Sequence, residues 1–178
     1  MDCLQEALAA LRPQPEEIER IDIATYRFAS VMRNPEPANY FASKYSLPHA
    51  AATMAARGSA GFAALDNSAL EDPVIAALRR RVHITEETAM SAVAPRLRPA
   101  RVTVTLADGR QSMQTRERHR GDFQQPFAES EIRGKFHELA GVVLTAEGAA
   151  KVEQAIDRGE QWTGIAELIV LLRQYGRP

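Results

Sequence analysis

The sequence contains a single cysteine, Cys3, among its 178 residues. This scarcity excludes an intramolecular disulfide and a zinc site built on paired cysteines. An excess of charge of one sign is also missing, because 22 lysines and arginines face 23 aspartates and glutamates. We therefore expect no nucleic-acid partner. The 4 histidines have no partner at metal-ligand spacing, so we expect no metal site either.

Long apolar runs are absent as well. The longest mostly apolar window, 165–172, is far shorter than the roughly 20 residues that cross a membrane. The first residues carry Asp2 and no basic stretch, which is not the pattern of a secretory signal. We expect a cytoplasmic protein without a membrane partner. The motifs of nucleotide-binding loops, serine hydrolases and zinc proteases are missing too.

Alternation of apolar and polar residues predicts short strands near 20–23, 82–84 and 101–107. Asp108-Gly109 follows the last of them and is typical of a two-residue type I′ hairpin turn. The returning segment, 110–117, is polar apart from Met113, so we expect it at the edge of the sheet.

Helix signals surround these strands. Ser46 is a predicted N-cap, Pro48 stands in the first turn and Gly58 closes the helix. Asp72-Pro73 predicts a second start, and apolar spacing predicts further helices at 130–140, 145–158 and 163–174. The expected fold is α+β: a small antiparallel sheet with a β-hairpin, two helices packed on it and a C-terminal helical tail. We expect one domain over 1–178, with sheet and helices in 16–128 and the tail in 129–178.

Two polar clusters are candidate sites. Lys44, Tyr45 and Ser46 stand at the start of the first of these helices, where free N–H groups favour a carboxylate. The alternative is an ordinary N-cap with an exposed lysine and a packed tyrosine. An arginine-rich segment, 116–122, together with the arginines at 79–81, 96, 98 and 101, can bind acidic groups. Its interspersed acids also fit a solvated end of the hairpin.

Residues 42–52, ASKYSLPHAAA, resemble the KFSLPYAxA stretch of the MmgE/PrpD family. This family comprises 2-methylcitrate dehydratases, cis-aconitate decarboxylases and iminodisuccinate epimerases. Asp72-Pro73 with Val82 resembles a second family segment, and 102–110, VTVTLADGR, resembles its hairpin. Residues 120–136, RGDFQQPFAESEIRGKF, resemble a run that follows the hairpin, and all four occur in the family's order.

The resemblance covers the family's C-terminal α+β lid domain and not its large helical body. It implies a cofactor-independent lyase or isomerase that acts on small di- or tricarboxylates in a cleft between the two parts. Lys44, Tyr45 and Ser46 match the cleft-lining stretch and are the expected substrate-binding residues, whereas His49 is expected to pack. The family's acid and base groups lie largely in the helical body, so no catalytic residue is assigned, and we expect the chain to be inactive alone.

The alternative to the lid-domain hypothesis is that the chain is a non-catalytic binding or interaction domain, or a truncated gene product. The last predicted helix bears on either case, because it is apolar on most of its circumference. Such a helix is normally covered on several sides, so we expect a homodimer formed through the C-terminal helices. The alternative is a tail that folds back on its own sheet.

Overall fold

The computed structural model describes residues 1–62 and 64–177. The strands are β1 (Ile18–Thr25), β2 (Val82–Glu86), β3 (Ala100–Leu106) and β4 (Gln111–Arg116). The helices are α1 (Asp2–Leu11), α2 (Arg27–Ser30), α3 (Tyr40–Ser43), α4 (Leu47–Arg57), α5 (Asn67–Glu71), α6 (Pro73–Arg79), α7 (Thr88–Val93), α8 (Glu129–Val143), α9 (Ala146–Asp157) and α10 (Ala166–Gln174). The predicted α+β class is confirmed.

The chain divides into two compact units, Met1–Pro126 and a second that begins at Phe127. The first unit contains the sheet, in the order β2-β1-β3-β4. Its β1–β3 and β3–β4 pairs are antiparallel, and β1–β2 is parallel. The connectivity permits the parallel pair, because parallel neighbours need a long crossover and the chain between β1 and β2 provides one through α2–α6. The polar strand β4 lies at an edge, as predicted.

The core of the first unit is formed on one face of the sheet. Ile21 of β1 pairs with Val104 of β3 and Val82 of β2, and all three are buried. A register shift between Ile18 and Arg20 allows Ile18 and Ile21 to be buried together although they are three residues apart. Residues of α1, α4 and α6 complete this core; they include Leu4, Ala51, Ala52, Ile75 and Leu78.

The hairpin between β3 and β4 corrects one detail of the sequence prediction. Its loop has three residues, since the Leu106 N–H donates to the Arg110 carbonyl oxygen and the Gly109 N–H to the Leu106 carbonyl oxygen. Gly109 has φ 87°, while Asp108 does not have the positive φ that a type I′ turn requires. The two-residue turn is therefore wrong, and the glycine supplies the left-handed residue of a longer loop.

The predicted helix ends are confirmed. Ser46 accepts a hydrogen bond from the His49 N–H and caps α4, and Gly58 ends the helix with φ 72°. Asp72 accepts from the N–H groups of Val74 and Ile75 at the start of α6. These local signals fix both ends of α4 and the start of α6, and the candidate residues Lys44, Tyr45 and Ser46 stand directly before α4.

The second unit contains α8, α9 and α10 around a small core of Ala140, Leu144, Ala149 and Val152. Leu168 and Leu171 of α10 pack against this core. The other large apolar residues of α10 are exposed, Val170 by 59%. Across residues 1–62 and 64–177, no helix is both long and apolar enough to pass through a membrane.

Candidate functional site

Lys44 and Tyr45 are exposed in the short turn between α3 and α4. The Lys44 ammonium lies 4.4 Å from the centre of the Tyr40 ring. The Tyr45 side chain is 59% exposed, and its ring centroid lies 5.4 Å from that of Phe41. Each of these pairs has a spacing of four residues, so one aromatic residue of α3 supports each candidate residue. Both candidates thus present a polar group to solvent from an aromatic support.

Ser46 is the buried member of the triplet. Its Oγ donates to the Asn34 carbonyl oxygen at 2.5 Å and accepts from the His49 N–H at 3.1 Å. The hydroxyl therefore ties α4 to the preceding loop. In this position Ser46 fixes the turn from which Lys44 and Tyr45 project.

A buried polar cluster lies directly behind this turn. His49 and Thr53 of α4 are fully buried, and Arg79 of α6 is nearly so. One Arg79 Nη lies 3.3 Å from His49 Nδ1. Within the described part of the chain, His49 Nε2, Thr53 Oγ1 and Arg79 Nε have no hydrogen-bond partner. The buried face of α4 is wider than its apolar spacing predicts, and His49 packs inside the unit, as expected.

The electrostatics of this cluster favour a neutral imidazole. Burial lowers the pKa of His49, and the charges of Arg79 and Arg57 lower it further. Burial also lowers the pKa of Arg79, while the Glu36 carboxylate opposes that change. The neutral imidazole can then accept a hydrogen bond from the arginine at Nδ1.

Arginines of the segment 116–122 form ion pairs with carboxylates of the same chain. Arg116 pairs with Glu6 of α1, and Arg118 lies 3.5 Å from Asp122. Arg101 pairs with Glu87 at 2.7 Å. These pairs favour the interpretation of a solvated, internally neutralised surface over a dedicated anion site.

The run Arg79–Arg81 does not act as one cluster. Arg79 is buried, Arg80 faces Glu36 at 3.9 Å, and Arg81 donates to the carbonyl oxygen of Ile18 at 2.5 Å. Among the described residues there is no group of three or more histidines, cysteines, aspartates or glutamates placed to hold a metal ion.

The chain matches a known protein family. The family model for the MmgE/PrpD C-terminal domain matches residues 1–161. The chain belongs to the MmgE/PrpD family. The match corresponds to the C-terminal domain, as the four sequence segments indicate, and it includes the whole of the first unit. No curated protein matches the chain significantly.

Within this MmgE/PrpD domain, the sequence predicts the exposed residues of the turn but not the buried ones behind it. Arg79 lies four residues after Ile75, so helical spacing places it on the buried face of α6. Arginine is almost never fully buried without a partner, so the residue type alone predicts that Arg79 is exposed. The aromatic supports could have been found, because Tyr40 and Lys44 stand four residues apart.

Proposed function

We propose that this chain is the lid domain of a cofactor-independent MmgE/PrpD-like lyase or isomerase that acts on small di- or tricarboxylates. The observation that carries the proposal is the exposure of Lys44 and Tyr45 on a turn held by Ser46. Within the described residues, the Lys44 ammonium has no carboxylate partner and lies over the Tyr40 ring. Its ammonium group is therefore available for a substrate carboxylate.

The roles of these residues follow from their chemistry. Lys44 pairs with a carboxylate, and the Tyr45 hydroxyl donates a hydrogen bond to a second substrate oxygen. Ser46 sets the orientation of both by capping α4. The reaction class is abstraction of a proton beside a carboxylate, followed by loss of water or carbon dioxide or by reprotonation. The acid and base groups belong to the helical domain of the family's proteins, against which the lid domain packs.

We expect the purified chain to have no dehydratase, decarboxylase or epimerase activity. One exposed lysine and one exposed tyrosine do not make a paired acid and base in a closed site. The measurement is turnover of 2-methylcitrate and of cis-aconitate by the chain alone. Turnover that is lost on Lys44→Ala or Tyr45→Phe would show that the chemistry lies in this turn.

The lid role itself is tested by adding a separately expressed MmgE/PrpD helical domain to the chain. Activity restored by the wild-type chain should fall about tenfold or more with Lys44→Ala, which removes a charge-assisted contact. Lys135→Ala in α8 is the matched control and should restore activity fully. A pair that associates and is equally active with Lys44→Ala and wild type would contradict the assigned role. A chain that binds no helical domain would favour the stand-alone interaction domain.

A further inference from the structure

A cavity of about 660 Å³ lies in the first unit, and neither Lys44 nor Tyr45 lines it. Its volume is within the range of sites that take small organic ligands. One wall is the chain from the end of β1 through α2, and the other is α7 with the residues that follow it. The cavity is therefore a separate candidate site in the same unit.

The two walls are joined by hydrogen bonds. The Arg27 N–H donates to Ser91 Oγ at 2.9 Å, and Ser91 Oγ donates to Glu86 Oε1 at 2.8 Å. Beside them, Thr25 Oγ1 donates to the Pro99 carbonyl oxygen at 2.9 Å. These bonds hold the two walls together. The Glu86 carboxylate is the one carboxylate among these partners, and it is hydrogen-bonded to Ser91.

The cavity is open to solvent, and the side chains that line it are largely apolar. Phe28 is 75% exposed and Val31 is 59% exposed, and both line the cavity with Tyr26 and Ala94. Exposed aromatic and branched side chains gain free energy when an apolar ligand removes them from water. A small, fully polar acid would leave this surface uncovered.

Two arginines, Arg27 and Arg98, also line the cavity. Neither guanidinium group has an ion pair or hydrogen bond among residues 1–62 and 64–177. The nearby Arg101 is different, because it donates to Glu87 at 2.7 Å. A planar guanidinium with free donors matches a carboxylate in a bidentate geometry.

We propose that this cavity binds an amphipathic carboxylate, with the acid group on Arg27 and Arg98 and an apolar body on Phe28 and Val31. A body of about ten carbon atoms suits a site of this size. A purely apolar partner segment would bury the two cations without a counter-charge, which is unfavourable. This cavity is independent of the proposed lid function, because none of the residues that line it belongs to the Lys44–Ser46 turn.

The test is a titration of the ¹⁵N-labelled chain followed by NMR. The probe is 4-phenylbutyrate, and the controls are 4-phenylbutanol, which has the same carbon body without charge, and citrate, which has charge without that body. We expect saturable shifts in 26–31 and 91–98 with 4-phenylbutyrate, and at least about tenfold weaker binding of the alcohol. Citrate should leave Phe28 and Val31 unshifted.

Matched variants separate charge from packing. Arg27→Gln and Arg98→Gln should each weaken 4-phenylbutyrate binding about tenfold. Arg96→Gln, at an exposed arginine outside the cavity lining, should leave the affinity unchanged. Lys44→Ala should also leave it unchanged, so failure of the lid proposal is distinguishable from failure of this one.

Three kinds of result would overturn the proposal. The first is equal affinity for the acid and the alcohol, or an unchanged affinity in the Arg27→Gln/Arg98→Gln double variant. The second is loss of binding with Lys44→Ala, which would place the ligand in the other site. The third is a set of ligand-free shifts in 26–31 that depend on protein concentration, which would assign this surface to contact between copies of the chain.

Discussion

Polar side chains at the start of α4 lie in opposite environments. Lys44 and Tyr45 face solvent, whereas His49 is fully buried beside Arg79. The exposed pair can exchange water for a ligand. The buried pair is joined by a hydrogen bond of 3.3 Å, while His49 Nε2 and Arg79 Nε have no hydrogen-bond partner among the described residues. Burial of a cation costs stability, so the first unit should be sensitive to a second positive charge there.

We expect the stability of the first unit to fall as the pH falls below about 6.5, the ordinary pKa of histidine. Burial and the nearby arginines lower the pKa of His49 in the folded state. The unfolded chain then takes up a proton that the folded chain does not, so this stability is complete above the unfolded pKa and is lost below it. One proton limits the slope to about 1.4 kcal/mol per pH unit. Urea unfolding at pH 5–7.5, followed by the amide signals of Ile21 and Val104, measures it.

Two variants separate the causes of this dependence. His49→Gln should flatten the slope, because the titrating group is removed. Arg79→Met should keep a shallower slope, because burial remains after the neighbouring charge is lost. A slope as steep in His49→Gln as in the wild type would refute the assignment to His49.

At this scale the sequence predicts what is local. Ser46, Gly58 and Asp72 are recognisable as helix ends because a cap depends on its own side chain and the next three residues. The burial of Arg79 depends on α4, which is distant in sequence, and the arginine side chain itself suggests exposure. The substrate-facing role of Lys44, Tyr45 and Ser46 stays a prediction.

At the scale of elements, α9 and α10 depend on a close approach at Gly148. A Cβ at this position would overlap the Tyr175 Cβ. We expect Gly148→Ala to destabilise the second unit by about 1–3 kcal/mol, the usual cost of overpacking. Fluorescence of Trp162, which lies between these two helices in sequence, follows the unfolding.

Gly141→Ala is the matched control, because a Cβ at Gly141 in α8 meets nothing within 4 Å. Alanine is the better helix former, so this variant should gain up to about 1 kcal/mol. Equal effects of the two substitutions would show that helix propensity, and not the contact with Tyr175, controls both positions.

The strands show why the pairing of two strands is harder to predict than the presence of each strand. Alternating residues identify β1 and β3, but the same alternation fits a parallel or an antiparallel neighbour. The crossover between β1 and β2 is long enough for either orientation, and the structure pairs the two strands in parallel. The Asp108-Gly109 dipeptide likewise identifies a hairpin, while its loop length depends on the register of β3 and β4. The short helices α2, α3, α5 and α7 have too few residues for a periodic signal.

At the scale of the whole molecule, the exposed apolar face of the second unit favours association. Ile165 and Val170 are each at least 59% exposed, while Leu168 and Leu171 hold α10 to its own core. We propose a two-fold homodimer through the C-terminal helices, since closed symmetric dimers are the commonest assemblies. Sedimentation at micromolar concentration should show a dimer that Val170→Glu converts to a monomer.

Met113→Glu is the control for this experiment, because Met113 is equally exposed but lies on β4 in the first unit. It should leave the dimer intact. A wild-type chain that sediments as a monomer, unaffected by Val170→Glu, would rule out the association.

The strand order also determines how the fold assembles in time. The β3–β4 hairpin closes a three-residue loop, whereas both neighbours of β1 are remote from it in the chain. Closing a long loop costs more entropy than closing a short one, and distant pairings form more slowly. We therefore expect the hairpin to form first and β1 to pair with it when the crossover packs onto the sheet. The Lys44–Ser46 turn lies in that crossover, so we expect it to become ordered with the core of its unit rather than before it.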